Sequence, residues 1–211
     1  MGGLSSFTSD LIFKLIAIVL GLSVHEFGHA AMALLVGDDT AKKQGRVTLN
    51  PLAHLDVLGL LIIFIASFGW AKPVIFDPRR ICINKRLGIV LIALAGPLMN
   101  AVLALVAIGA FYALNPLPGT FWASGIGIFV FKALSWILQL NIALAIFNLI
   151  PIPPLDGWMI LHYSLPRRFF PQMSRFERIG PFFLILLLIT PVGSYVLSYT
   201  VMAVMSWFGL A

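Results

Sequence analysis

Long apolar runs separated by short polar patches dominate the 211-residue chain. Four runs are long enough to cross a membrane as helices: about 11–36, 87–114, 125–150 and 179–210. Each holds the roughly 20 residues that a helix needs to traverse the hydrocarbon core. Glycine and proline occur inside them, as membrane helices tolerate. A fifth run, Val57–Trp70, has about 14 residues, a length typical of re-entrant or interfacial segments. Gly45–Leu49 alternates and carries β-branched residues, so it predicts a short strand that ends at Asn50-Pro51. The pattern predicts an all-α polytopic membrane protein. It has about four long transmembrane helices and a re-entrant, short-strand region over about 40–72. Its third helix is broken by Pro151, Pro153 and Pro154. No stretch is polar or long enough to form an attached soluble domain, so residues 1–211 read as a single domain.

Composition agrees with the pattern. Hydrophobic residues make up 60% of the chain and charged ones 10%, against about a quarter charged in soluble proteins. The mean hydropathy is +1.01. Charge placement supports re-entry of the fifth run. Lys42, Lys43 and Arg46 precede it, and Lys72, Arg79, Arg80, Lys85 and Arg86 follow it. Re-entry leaves both clusters on one side, together with Arg167, Arg168, Arg175 and Arg178. The loop Asn115–Ser124 has no charge. Four spans with both termini outside and the basic loops in the cytoplasm satisfy the positive-inside rule.

The net charge of +6 thus reads as membrane orientation and not as a nucleic-acid surface. The chain is expected in the plasma membrane, in contact with lipid. Lys14 and Lys132 lie within spans, where they can snorkel or face the interior. The lone Cys82 excludes an intrachain disulfide. Met1–Asp10 lacks the basic start and cleavage site of a secretory signal, so the first run is expected to be a retained span.

The chemistry concentrates in His25-Glu26-Phe27-Gly28-His29, which matches H-E-x-x-H. On a helix, residues four apart share a face, so both imidazoles can bind one metal ion. Glu26 projects beside that ion and suits the role of general base toward a water it activates. Ionisable residues within an apolar span are costly to insert and mark a functional site. A hydrolytic zinc site takes three protein ligands and keeps one position open. Asp156, His54 and His162 are the candidates for the third. Asp156 follows the proline break, where irregular backbone at membrane depth lines protein or a wet cavity; it also suits a helix N-cap. Asn100 and Asn148 are polar groups in apolar spans. They suit either substrate or oxyanion contacts or interhelical hydrogen bonds. Asn141 is a weaker candidate of the same kind. His54 can touch a substrate path or hold its loop.

Several motifs occur in order: Gly45-Arg-Val-Thr-Leu-Asn-Pro-Leu-Ala-His-Leu-Asp56, Phe68-Gly-Trp-Ala-Lys-Pro73, Ala95-Gly-Pro-Leu-Met-Asn100 and Asn148-Leu-Ile-Pro-Ile-Pro-Pro-Leu-Asp-Gly157. With H-E-x-x-H before them, they resemble the site-2 protease family of intramembrane zinc metalloproteases, peptidase M50, in its compact bacterial branch. The likeness runs from about Leu11 to about Pro166, and the fourth span matches only in position and hydrophobicity. The resemblance implies that His25, His29 and Asp156 ligate one Zn²⁺ per chain and that Glu26 is the base. It implies a membrane-associated sheet around Gly45–Leu49, near an active site toward the cytoplasmic side. The implied reaction is cleavage of a transmembrane segment, with a single-span membrane protein as substrate and a regulatory membrane partner. Trp158 stands where the family often has a second glycine. The chain has no room for the peptide-binding or nucleotide-sensing domains of some relatives. Two rival readings are a metal-binding membrane scaffold, or inactive relative, and a metal-ion transporter. A transporter needs further His or carboxylate groups along its path, and the long spans contain none beyond this cluster.

Overall fold

The structure, a computed structural model, describes residues 2–56, 59 and 71–210, with side chains from Asp10 onward. The expected re-entrant run Val57–Trp70 lies, apart from Gly59, outside the described residues. Six helices organise the rest: α1 (Gly2–Leu35), α2 (Lys85–Leu114), α3 (Gly125–Asn148), α4 (Asp156–Ser164), α5 (Phe170–Ile189) and α6 (Pro191–Trp207).

Three are long and apolar enough to cross a membrane: α1 from Asp10, α2 and α3. They start and stop close to the expected bounds because local signals fix them. The Asn84 side chain accepts from the Arg86 and Leu87 amides at the start of α2, and Ser124 caps α3. The proline run ends α3 at Asn148, and Asp156 begins a separate helix, α4. α1, α2 and α3 pack against one another, α4 lies on α2, and α6 lies on α3. Apolar side chains such as Leu105, Phe131, Phe182 and Ile185 remain exposed, as expected of surfaces that meet lipid.

Two expectations are corrected. The fourth span is not one helix over 179–210. It is two helices, α5 and α6, bent by 73° at Thr190-Pro191. Pro191 has no N–H to continue α5 and disfavours helical backbone in the residue before it. Thr190 is accordingly extended, with ψ 150°, and Pro191 opens α6. α5 also starts earlier than expected, at Phe170, so that it includes Arg175, Glu177 and Arg178. The second correction is the strand at Gly45–Leu49. No strand occurs among the described residues, and only a bridge between Leu55 and Ala71 has sheet pairing. Gly45 has φ +68°, which takes the backbone out of the strand region. The Arg46 amide donates to the Ala41 carbonyl and the Thr48 carbonyl faces His54 Nε2, so turn contacts use these groups.

Candidate metal centre

α1 carries His25, Glu26 and His29, all buried, at the level where α2 crosses it. Two glycines permit the crossing. A Cβ at Gly28 would lie 2.6 Å from the Ala95 carbonyl oxygen, and one at Gly96 would lie 2.5 Å from His29 Nε2. Small residues at a membrane helix contact let backbones approach closely. Here they leave just the space that the imidazoles fill. Asp156 arrives from the other side as the first residue of α4. Gly157 seats that helix end, because a Cβ there would lie 2.2 Å from the Leu149 carbonyl oxygen.

The three side chains converge. His25 Nε2 and His29 Nε2 are 3.0 Å apart, and Asp156 Oδ2 lies 3.2 Å from the first and 3.4 Å from the second. Among the described residues this is the one His, Cys, Asp and Glu group whose ligand atoms all come within 4.8 Å of one another. Outward-facing atoms are anchored. His29 Nδ1 is 2.7 Å from the Ile92 carbonyl oxygen, so it donates, and in the neutral ring Nε2 then carries the lone pair that a metal takes. His25 Nδ1 is 2.7 Å from Asn100 Oδ1. Asp156 Oδ2 is buried without a hydrogen bond. Electron-pair donors crowded together in a buried place are stabilised by a proton or a metal ion between them. Two imidazoles and a carboxylate are the donor set that suits zinc, so the residues fit the metal.

Glu26 stands beside this cluster, and its Oε2 accepts from the Val74 amide at 3.0 Å. Val74 belongs to a segment strapped back along the end of α1. Asp38, fully buried, holds the strap: Oδ2 accepts from the Asp77 amide at 2.6 Å, and Oδ1 accepts from the amide and hydroxyl of Thr40. The Cys82 amide donates to the Val36 carbonyl. Gly37 makes the turn at φ +104°, where a Cβ would strike Cys82. Sequence reasoning missed Asp38 and the Val74 amide. The Gly37-Asp38 pair after a long helix was the one available signal.

The other candidates separate from the centre. His54 is fully buried, with Nε2 2.8 Å from the Thr48 carbonyl oxygen, and holds its own loop. His162 sits in an aromatic cluster with Trp158, Tyr163 and Phe170. Neither joins His25 and His29. The Asn148 amide donates to the Leu144 carbonyl within its own helix. Asn100 is buried behind His25, bonded to it, to Gly21 and to Asn141. Arg86 of α2 donates to the carbonyls of Tyr163 and Leu165, which fixes the far end of α4 and hence the helix that carries Asp156.

Comparison with known proteins identifies the family. Residues 123–190 match the profile of Peptidase family M50. The chain is 40% identical over 186 residues to the "Putative zinc metalloprotease YwhC" of Bacillus subtilis, covering 88% of this chain and 84% of that one. It is 32% identical over 194 residues to the "Putative zinc metalloprotease Rip2" of Mycolicibacterium smegmatis, covering 88% of this chain and 70% of that one. An archaeal relative, the "Putative zinc metalloprotease MJ0611" of Methanocaldococcus jannaschii, is 32% identical over 154 residues, 72% of this chain and 71% of that one. No solved structure matches the chain. The fold and site define a polytopic membrane protein with a His₂-carboxylate cluster. The chain belongs to peptidase family M50.

Proposed function

We propose that the protein is an intramembrane zinc endopeptidase that cleaves a transmembrane segment of another membrane protein. The observation that carries this reading is the convergence of His25 Nε2, His29 Nε2 and Asp156 Oδ2 beside Glu26, within a helix apolar enough to span a membrane. His25, His29 and Asp156 would hold one zinc ion. Bound there, zinc would supply Lewis acidity to an attacking water and to the scissile carbonyl.

The remaining work falls to this chain's own groups. Glu26 takes the proton of the attacking water and delivers it to the leaving nitrogen. The Val74 amide restrains Oε2 of Glu26 and so aims its other oxygen. The apolar helices around the centre exclude bulk water, which strengthens these electrostatic contacts. A helical substrate must unwind locally before its carbonyl is accessible, so weak helix formers near the scissile bond favour cleavage. The basic loops orient the centre toward the cytoplasmic side of the plasma membrane. The expected substrate is a single-span protein.

The test is co-expression with tagged single-span proteins carrying glycine or proline in the span. Wild-type protein is expected to cut within the span, and Glu26→Gln is expected to leave the substrate intact. Equal cleavage by Glu26→Gln would refute the base assignment.

A further inference from the structure

We infer that Asn100 and Asn141 form a fixed hydrogen-bond relay that holds His25 as its Nδ1–H tautomer, with Nε2 bare for a divalent cation. The inference rests on the metal reading above and adds two positioning residues to it, both on helices that contribute no ligand.

Backbone groups at two points settle the direction of the relay. Asn141 Nδ2 is 2.8 Å from the Ile137 carbonyl oxygen, and Asn100 Nδ2 is 2.9 Å from the Gly21 carbonyl oxygen. A backbone carbonyl only accepts, so each of these amide nitrogens must donate. Asn141 therefore turns Oδ1 toward Asn100, whose Nδ2 donates to it at 2.8 Å. Both N–H groups of Asn100 are then used. Its Oδ1 is left 2.7 Å from His25 Nδ1. That oxygen only accepts, so His25 carries its proton on Nδ1. Nε2 keeps its lone pair, and it is the atom that meets His29 and Asp156.

The relay crosses three helices. Gly21 and His25 lie on α1, Asn100 on α2 and Asn141 on α3. Both asparagines are fully buried, and a Cβ at Gly21 would lie 2.9 Å from Asn141 Oδ1. These polar groups in an apolar bundle thus have matched partners at fixed distances. His29 depends instead on a backbone carbonyl, that of Ile92, which no substitution removes. His25 is the imidazole whose orientation a side chain sets. His54 provides an internal contrast, because its Nε2 faces the Thr48 carbonyl, so it has the opposite tautomer. Outer partners that fix a ligating histidine typically change metal affinity about 10–100-fold when lost.

The experiment uses the full chain in detergent, with histidines labelled in ¹⁵N. Two-bond nitrogen–proton correlation spectra of chelator-stripped protein, recorded at alkaline pH where the imidazoles are neutral, report each tautomer, and the chain has only four histidines. The expected spectrum has the Nδ1–H pattern for His25 and His29 and the Nε2–H pattern for His54. In Asn100→Leu, His25 should lose its fixed pattern while His29 keeps its own. Zinc affinity, measured by competition with a chelator, should fall about 10–100-fold. Asn141→Leu should move both readouts in the same direction by less, because Gly21 still anchors Asn100. It also serves if Asn100→Leu does not fold. Variants of Asn100 and Asn141 that keep wild-type tautomer and zinc affinity would overturn the relay. A wild-type protein with the Nδ1–H pattern that takes up no zinc would instead overturn the metal reading.

Discussion

Gly96→Ala tests the geometry of the centre by adding a single methyl group. The new Cβ would lie 2.5 Å from His29 Nε2, 2.6 Å from His29 Cε1 and 2.7 Å from His25 Cε1. Ordinary contact begins near 3.4 Å, so the rings must retreat by about 0.9 Å, the difference between 3.4 and 2.5. They have little room, because His29 is tied to the Ile92 carbonyl and His25 to Asn100. Overpacking of this kind costs about 1–3 kcal/mol of stability. The effect on metal should be greater. Zinc–nitrogen bonds are about 2.0–2.1 Å long, and a working site keeps such distances within about 0.2 Å. A shift of this size takes at least one imidazole out of range. Zinc affinity should therefore fall at least about a hundredfold, the upper end of what disturbing a ligand's support costs. Competition with a chelator in detergent measures it. Gly109→Ala on the same helix is the control, since nothing lies within 4 Å of its added Cβ. A Gly96→Ala protein that binds zinc as tightly as wild type would refute this account of the packing between α1 and α2.

Other outcomes follow from the same geometry. Glu26→Gln should keep zinc and lose cleavage by about two orders of magnitude or more, as expected when a positioned base is removed; zinc content and substrate cleavage are measured on one preparation. Gly157→Ala places a Cβ 2.2 Å from the Leu149 carbonyl oxygen, so it should displace Asp156 and weaken zinc binding; unchanged affinity would show that α4 has room to adjust. Asp38→Asn leaves one of three donors, those of Thr40 and Asp77, facing an amide in place of a carboxylate oxygen. Charge-assisted bonds contribute about 1.5–3 kcal/mol each, so unfolding should shift by about 2 kcal/mol and proteolysis within Lys72–Asn84 should speed up. Unaltered proteolysis there would show that Asp38 does not hold the strap.

What the chain discloses in advance depends on whether the signal is local. His25 and His29 are four residues apart on one strongly apolar helix, so their shared face could be read directly. The bounds of α2 and α3 were equally local, set by Asn84, Ser124 and the proline run after Asn148. The third ligand was a different case. Spacing left Asp156, His54 and His162 open; the proline break and the family motif favoured Asp156, which the fold then brings to His25 and His29. Other partners are set by crossings that spacing does not encode. Nothing near Asn100 in sequence indicates His25 or Asn141, and nothing near Glu26 indicates the Val74 amide. Where local signals conflicted, the wrong one was favoured twice. Apolar length outweighed Pro191 in the fourth span, and alternation outweighed Gly45 in the expected strand.

The most direct measurement is the zinc content of purified wild-type protein beside Asp156→Ala. About one zinc per wild-type chain is expected, the stoichiometry of a three-ligand hydrolytic site, with loss of it in the variant although His25 and His29 are unchanged. A wild-type chain that holds no zinc after reconstitution would contradict this expectation, and so would a variant that holds zinc as tightly as wild type.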